Sequence, residues 1–312
     1  MKKQVKAVRP YQYKEGINFK IPAYEAWVKA GGAVANTHYP WRAFHRLFFN
    51  HDIPTLFQHK KEARLRFVQP VSLFFDTFPD SLFYEIIPVI WDCWPCYFEK
   101  TSRWLKRHRV KTAIFTSSQT AERMKACLPD MKILYIPEGV DTSLYSEGKP
   151  LKDRKIDVLE FGRTNENVFK CELPAPFSHV RIGKNQKSMF SDEQLYQAMG
   201  NSKITIALPR SITQPEVAEN IETLTQRYWE GMLSRMVMVG HAPQELVDLI
   251  GYNPVIEYDK EHVKEQILDL LTHIEDYQAL VNKNRETALR IGSWDFRMKQ
   301  VMDWLKGIGY EV

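Results

Sequence analysis

The chain has 312 residues, of which 44% are apolar and 26% charged, and a net charge of +5. That mixture belongs to a globular protein rather than a disordered one, and the mild, scattered positive charge lacks the basic stripe of a nucleic-acid binder. No stretch approaches the roughly 18 unbroken apolar residues of a membrane span, and no apolar run follows the basic Met1–Lys6 start, so no signal peptide is expected and the protein reads as cytoplasmic.

Residues 1–66 show little regular pattern. Ala23–Ala30 reads as a helix closed by Gly31-Gly32, and Trp41–Phe49 sets aromatic and basic residues at helical spacing. Small basic clusters at Lys60–Arg66 and Lys100–Lys111 are of the kind that mostly mark solvated helix faces. The second, with Trp104 interleaved, also suits an anionic membrane surface or an acidic acceptor. From Phe67 the pattern sharpens. Val71–Phe75 and Glu85–Trp91 read as buried strands, Phe98–Arg107 as a helix, Thr112–Ser117 as a strand, Thr120–Cys127 as a helix and Lys132–Ile136 as a strand. The polar stretch Ser146–Lys155 reads as a linker. Strands are then expected at Ile156–Phe161, Ile204–Leu208, Met236–Val239 and Val255–Glu257, with helices at Asp192–Met199, Gln226–Leu233 and Gln244–Leu249. A helical tail, Glu261–Lys306, is broken near Gly292-Ser293.

Short apolar runs alternating with helices predict parallel sheets with crossover helices. The expected organisation is two α/β domains, 1–145 and 146–290, with a final helix in 291–312 returning to the first. Ligands of such folds sit beyond the carboxyl ends of the strands, which directs attention to the loops after Phe75, Trp91, Ser117, Phe161, Leu208 and Val239. Cys93 and Cys96 form a Cys-Trp-Pro-Cys element. It has the local setting of a thioredoxin-type pair, but two cysteines packed at a strand end is the favoured reading. Nothing else in the chain resembles a thioredoxin domain, and Cys127 and Cys171 are too isolated to complete a zinc site.

Glu222 and Glu230 are eight residues apart. On one continuous helix they would diverge by about 80°, a poor geometry for one small ligand. Thr223-x-x-Gln226 fits a capping box, so the helix is expected to start at Thr223, with Glu222 in the loop before it and Glu230 inside it. The free N–H groups and positive dipole end between them would suit a diphosphate, one carboxylate then facing the sugar and the other the ribose hydroxyls. An ordinary polar helix start uses the same residue types.

Glu222–Val239 resembles the E-x7-E donor segment of retaining GT-B glycosyltransferases of the family-four (group 1) type, with Glu222, Glu230, Met232 and Val239 in register. Ile136-Pro-Glu-Gly-Val-Asp-Thr142 is similar to that family's I-P-N-G-V-D-T interdomain motif, and Phe161-Gly-Arg163 to its V-G-R motif. Thr112–Thr120 resembles the strand-then-serine element before the interdomain motif, so the likeness covers about residues 110 to 300. It implies two Rossmann-like domains facing each other across a cleft, and transfer of a sugar from a nucleotide diphosphate sugar to a hydroxyl acceptor with retention, in polysaccharide or glycoconjugate synthesis.

By that resemblance Glu222 and Asp92 are the catalytic candidates, Asp92 standing where the family often has a histidine near the reacting sugar. The donor would be held by Arg163, Lys170, Thr223, Leu224, Thr225, Glu230 and His241. Arg163 offers two parallel charge-assisted bonds to a diphosphate. The family's partner lysine lies about five residues after that arginine. Here Lys170 is the nearest, with Lys184 and Lys187 as substitutes. No cofactor is expected beyond the donor itself, and no metal, since the chain has no Asp-x-Asp pair suited to a metal–diphosphate. The expected partners are the nucleotide sugar and a glycan or glycolipid acceptor, with no nucleic acid and with peripheral contact at the inner face of a membrane.

The chain also departs from the family. Thr223 and Thr225 replace glycines of the phosphate-facing loop, Arg235 replaces the helix-ending glycine, and Val237 the usual proline. The early glycine-rich loop has no clear counterpart, and His38, His45 and His51 have no assigned role. A shortened N-terminal half leaves a second reading open, a catalytically inactive nucleotide-sugar or glycan-binding protein of the same fold.

Overall fold

The computed structural model describes residues 2–11, 19–36, 53–162, 172–183 and 192–312. Trp41–Phe49, His38, His45, His51, Arg163, Lys170, Cys171, Lys184 and Lys187 lie outside the described residues. The chain divides into two units. The first comprises residues up to Glu138 together with Glu216–Thr223 and Trp294–Val312; the second comprises Gly139–Pro215 and Leu224–Ser293.

In chain order the first unit begins with β1 (Gln4–Val8), α1 (Ile21–Lys29), β2 (Val34–Ala35) and β3 (Glu62–Val68). It continues through α2 (Leu73–Thr77), α3 (Asp80–Phe83), β4 (Glu85–Ile90), α4 (Pro95–Arg107), β5 (Thr112–Phe115), α5 (Ser118–Cys127) and β6 (Lys132–Tyr135). Its six strands form one parallel sheet in the order β2-β1-β3-β4-β5-β6.

Two expectations are overturned in and just after β3. Lys60–Arg66 reads as a solvated helix face, yet Glu62–Val68 is an interior strand. Ala63, Leu65 and Phe67 alternate into the core, while Arg64 and Arg66 point to the opposite side, where each finds a partner. Arg64 pairs with Glu62 at 2.8 Å and lies over the Tyr84 ring; Arg66 pairs with Asp80 at 3.1 Å and donates to the Asp76 carbonyl at 2.6 Å. Paired in this way, buried guanidinium groups are tolerated. Val71–Phe75, expected as a strand, is helical instead. Pro70 opens a 3-10 turn, and the Thr77 hydroxyl donates back to the Leu73 carbonyl at 2.7 Å. A five-residue apolar run does not distinguish strand from buried helix.

The second unit holds β7 (Ile156–Gly162), β8 (His179–Gly183), α6 (Asp192–Gly200), β9 (Ser202–Ala207) and α7 (Arg210–Thr213). The short α8 (Pro215–Ala218) opens the segment, from Glu216, that groups with the first unit. Then follow α9 (Gln226–Leu233), β10 (Val237–Gly240), α10 (Gln244–Ile250), β11 (Val255–Glu257), α11 (Val263–Thr272) and α12 (Gln278–Ile291). The sheet is parallel, in the order β11-β10-β9-β7-β8. Residues 139–145, expected with the first domain, group with the second. Val140 donates to the Gly292 carbonyl at 3.0 Å and forms an isolated bridge with Ser293.

The last helix, α13 (Trp294–Gly307), groups with the first unit and packs in one core with α1. Trp294 meets Trp91 at 5.5 Å between ring centroids. Among the described residues no helix is long and apolar enough to cross a membrane.

The polar stretch read as a linker is held by arginines of its own unit. Arg154 donates to the carbonyls of Glu147, Lys149, Ser202 and Ser234 at 2.7–3.2 Å. Arg235 donates to the carbonyls of Glu147 and Gly148, both at 2.9 Å, and to Asn282 at 3.1 Å. Arg285 reaches the carbonyls of Tyr145 and Leu233. Burial, and then the neighbouring charges of Arg235 and Arg285, bring Arg154 down to about 10. Arg235 adopts φ +50 at the end of α9, the left-handed conformation that glycine accepts without steric cost. Its side-chain bonds offset the strain of replacing that glycine.

Candidate functional site

In the second sheet the chain leaves β7 for β8 on one side and reaches β9 on the other. The strand order reverses at β7/β9, and the crevice beyond the carboxyl ends of such strands is the ligand position of open parallel sheets. β7 ends at Gly162, in a left-handed conformation with φ +77. α9 belongs to the crossover between β9 and β10. Its buried face, Tyr228, Trp229, Met232 and Leu233, anchors it in the core of this unit.

Glu230 lies within α9 and accepts a hydrogen bond from the Tyr145 hydroxyl at 3.0 Å. Burial pushes its carboxyl above the ordinary glutamate value, while the Tyr145 hydroxyl and the positive charge of Arg227 pull it part of the way back. The same burial, reinforced by the Glu230 charge, raises the Tyr145 phenol. The two groups therefore share one proton donor–acceptor pair, with Tyr145 donating.

The capping box is not formed. α9 begins at Gln226, with Thr225 at the N-cap and no side-chain cap bond. Thr223 is buried in the preceding loop, and the Leu224 N–H donates to the buried carboxylate of Glu245. An amide expected to face phosphate is thus already occupied. Glu222 stands in the loop before the helix as expected, but it and Thr223 group with the first unit, whereas Leu224, Thr225 and Glu230 group with the second. The Glu222 backbone N–H donates to Gln119 at 2.7 Å, and Ala218 and Ile221 pack against Trp94.

His241 follows β10, and its Nδ1 lies 2.9 Å from Glu257 at the end of β11. In the first unit Asp92 follows β4 in a left-handed conformation, φ +53, and accepts from the Gln69 side chain at 2.9 Å. Asparagine and aspartate tolerate this conformation better than most residues, and Gln69 fixes the carboxylate beside the end of β3. The cysteine pair does not have the character of a redox centre. Cys93 is buried and its thiol is pushed up to about 12, chiefly by that burial, so it holds its proton where a thioredoxin-type thiol releases it. Among the described residues no group of three His, Cys, Asp or Glu side chains is arranged to hold a metal ion.

Tyr145, Arg227, Gln69 and Glu245 escape motif reading. Tyr145 lies three positions beyond the Ile136–Thr142 motif and Arg227 within the Glu222–Glu230 segment, so only their neighbourhood was indicated.

No protein-family model matches the sequence, and no curated protein matches it. Solved structures do match its fold. Anabaena HepE in complex with UDP and glucose is 10% identical, covers 98% of this chain and 100% of its own, and gives a TM-score of 0.60. Sucrose-phosphate synthase from Thermosynechococcus elongatus is 11% identical, with coverage of 98% and 99% and a TM-score of 0.63. AviGT4, a glycosyltransferase involved in avilamycin A biosynthesis, is 12% identical, with coverage of 98% and 97% and a TM-score of 0.53. At such identities the likeness is one of fold, and the fold is that of the GT-B glycosyltransferases.

Proposed function

We propose that the protein is a glycosyltransferase that moves a sugar from a nucleoside diphosphate sugar to a hydroxyl acceptor of glycan or glycolipid type, with retention and without a metal ion. The observation that carries this reading is the half-buried Glu230, held by Tyr145 on α9, the helix of the β9–β10 crossover. Glu230 accepts bonds from the ribose hydroxyls. Arg163 binds the diphosphate, and Glu222 and Asp92 attend the transferred sugar. The chemical task is to stabilise negative charge on the departing diphosphate and positive charge at the anomeric carbon. Thermal-shift titration with UDP, GDP, ADP and their sugars tests this. A true donor at about 100 times its dissociation constant adds roughly 2.7 kcal/mol of stability. If none of them shifts the transition, the reading fails; if one binds but is neither transferred nor hydrolysed, the chain is a binding protein of this fold.

We also propose peripheral contact with an anionic membrane through the first unit. Trp104 is buried and does not take part. Instead Leu56 and Phe57 are 62% and 59% exposed. Thr55 donates to the His108 carbonyl at 3.1 Å and Gln58 to the Arg109 carbonyl at 3.4 Å, which sets this segment beside the basic end of α4 with its exposed Lys106 and Arg107. Apolar side chains beside lysine and arginine suit an anionic lipid surface. Co-sedimentation with phosphatidylserine vesicles, lost on Leu56→Ser/Phe57→Ser, checks it. Equal binding to neutral vesicles contradicts it.

A further inference from the structure

α9 carries a cation to which the family resemblance gives no role. Arg227 stands three residues before Glu230, so the two share a face of the helix one turn apart. Its Nη2 lies 3.0 Å from the point that a β-carbon would occupy on Gly162, and its Cζ sits 5.9 Å from the Phe161 ring centroid. The guanidinium therefore rests against the carboxyl end of β7, where the strand order of this sheet reverses. Gly162 combines two requirements there. Its φ of +77 disfavours any side chain, and a β-carbon would crowd the guanidinium. The bare strand end leaves space for the Arg227 side chain.

We infer that Arg227 is a specificity-determining residue for the donor, binding its diphosphate, so that α9 reads the nucleotide with two side chains: Arg227 the phosphates and Glu230 the ribose. The inference rests on the donor reading given above. Three observations support it. The sequence has Val168, not lysine, five residues after Arg163. The Leu224 amide, which would otherwise serve phosphate, is taken by Glu245. The order of charges along α9 also fits, since the cation is nearer the positive end of the helix, where an anion is favoured, and the carboxylate lies one turn further in. A guanidinium offers two parallel bonds to a diphosphate, whereas an ammonium offers a point charge.

Calorimetric titration with a nucleoside diphosphate and its monophosphate, taking whichever of UDP, GDP or ADP the wild-type protein binds, tests the inference. Arg227→Gln is expected to lose about tenfold to a hundredfold in diphosphate affinity, the range for bonds to a charged partner, while monophosphate affinity changes less than about threefold. Arg227→Lys is expected to recover part of the loss, and it serves as the measured variant if Arg227→Gln does not fold. Equal weakening of both nucleotides would mean that Arg227 only supports Glu230 or the helix, and unchanged diphosphate affinity would remove it from the site. Either result overturns the inference while leaving the donor reading intact. If the wild-type protein binds none of the three diphosphates, the donor reading itself falls and the inference with it.

Discussion

The Tyr145 hydroxyl donates to Oε1 of Glu230 at 3.0 Å, and the Tyr145 carbonyl is at the same time within reach of Arg285. One residue of the segment before β7 is thus held at both its backbone and its side chain, and the carboxylate expected to meet the ribose is oriented by it. Loss in Tyr145→Phe of the hydroxyl, which orients Glu230 without itself meeting the nucleotide, should weaken nucleotide binding by roughly twofold to tenfold, the range of a typical single hydrogen bond. Glu230 should then hold its proton to higher pH, because the bond that lowers its pKa is gone. Calorimetry across pH would reveal both effects. An unmoved pH profile would mean that Tyr145 is packing alone.

The two glutamates should separate kinetically. On the proposed reading Glu230 meets a part of the donor that does not change during reaction, and such contacts bind ground state and transition state alike. Glu230→Gln should therefore raise KM and weaken free nucleotide binding, by roughly 1.5–3 kcal/mol. Glu222→Gln should leave nucleotide binding nearly intact and lower kcat. Nucleotide affinity in Glu230→Gln equal to that of the wild type would place the donor site elsewhere.

Glu230 also gives a pH signature. Its pKa in the folded protein lies above the ordinary 4.5, because burial disfavours the ionised form. A carboxyl that holds its proton more tightly when folded contributes stability that is complete below the unfolded pKa and is lost as pH rises through the folded one. Nucleotide affinity should move the other way, since on the proposed reading the ribose hydroxyls donate to the carboxylate. Between the ordinary glutamate pKa and the raised value, melting temperature should fall with pH while affinity climbs, and Glu230→Gln should flatten both curves. Parallel slopes for wild type and variant would rule out Glu230 as the titrating group.

Turnover should survive EDTA, with Arg163, a second cation and the amino end of α9 carrying the leaving diphosphate. Activity lost with EDTA and restored by manganese or magnesium would assign that task to a metal.

Much of the second unit was legible because its strands are short apolar runs between clear helices, as at Ile156–Phe161 and Val255–Glu257. The first unit was harder. β3 hides its alternation behind Arg64 and Arg66, whose charges resemble a surface pattern until Glu62, Asp80 and Asp76 are found beside them. β1 alternates only partly, Gln4 and Lys6 flanking Val5, and its neighbours β2 and β3 are distant in sequence. At the candidate site, Glu222 and Glu230 stand out in the sequence by resemblance to a donor segment, but their division between the units does not, because it depends on where Ala218 and Ile221 pack. The helix start was misplaced by three residues, from Thr223 to Gln226, because Leu224 finds its hydrogen-bond acceptor in Glu245, twenty-one positions away.

The arginine clamp around residues 145–149 bears on how this sequence can drift. Arg154 and Arg235 each serve several carbonyls at fixed angles, and Arg285 bridges two. A lysine at any of these positions would lack the rigid planar fork that reaches separated acceptors at once. Glu147 is a lighter constraint, since its side chain is exposed and its backbone carbonyl does most of the accepting. Change should therefore be filtered as severely at Arg154, Arg235 and Arg285 as at a residue that meets the donor, so invariance in relatives of this chain would mark its scaffolding as well as its chemistry.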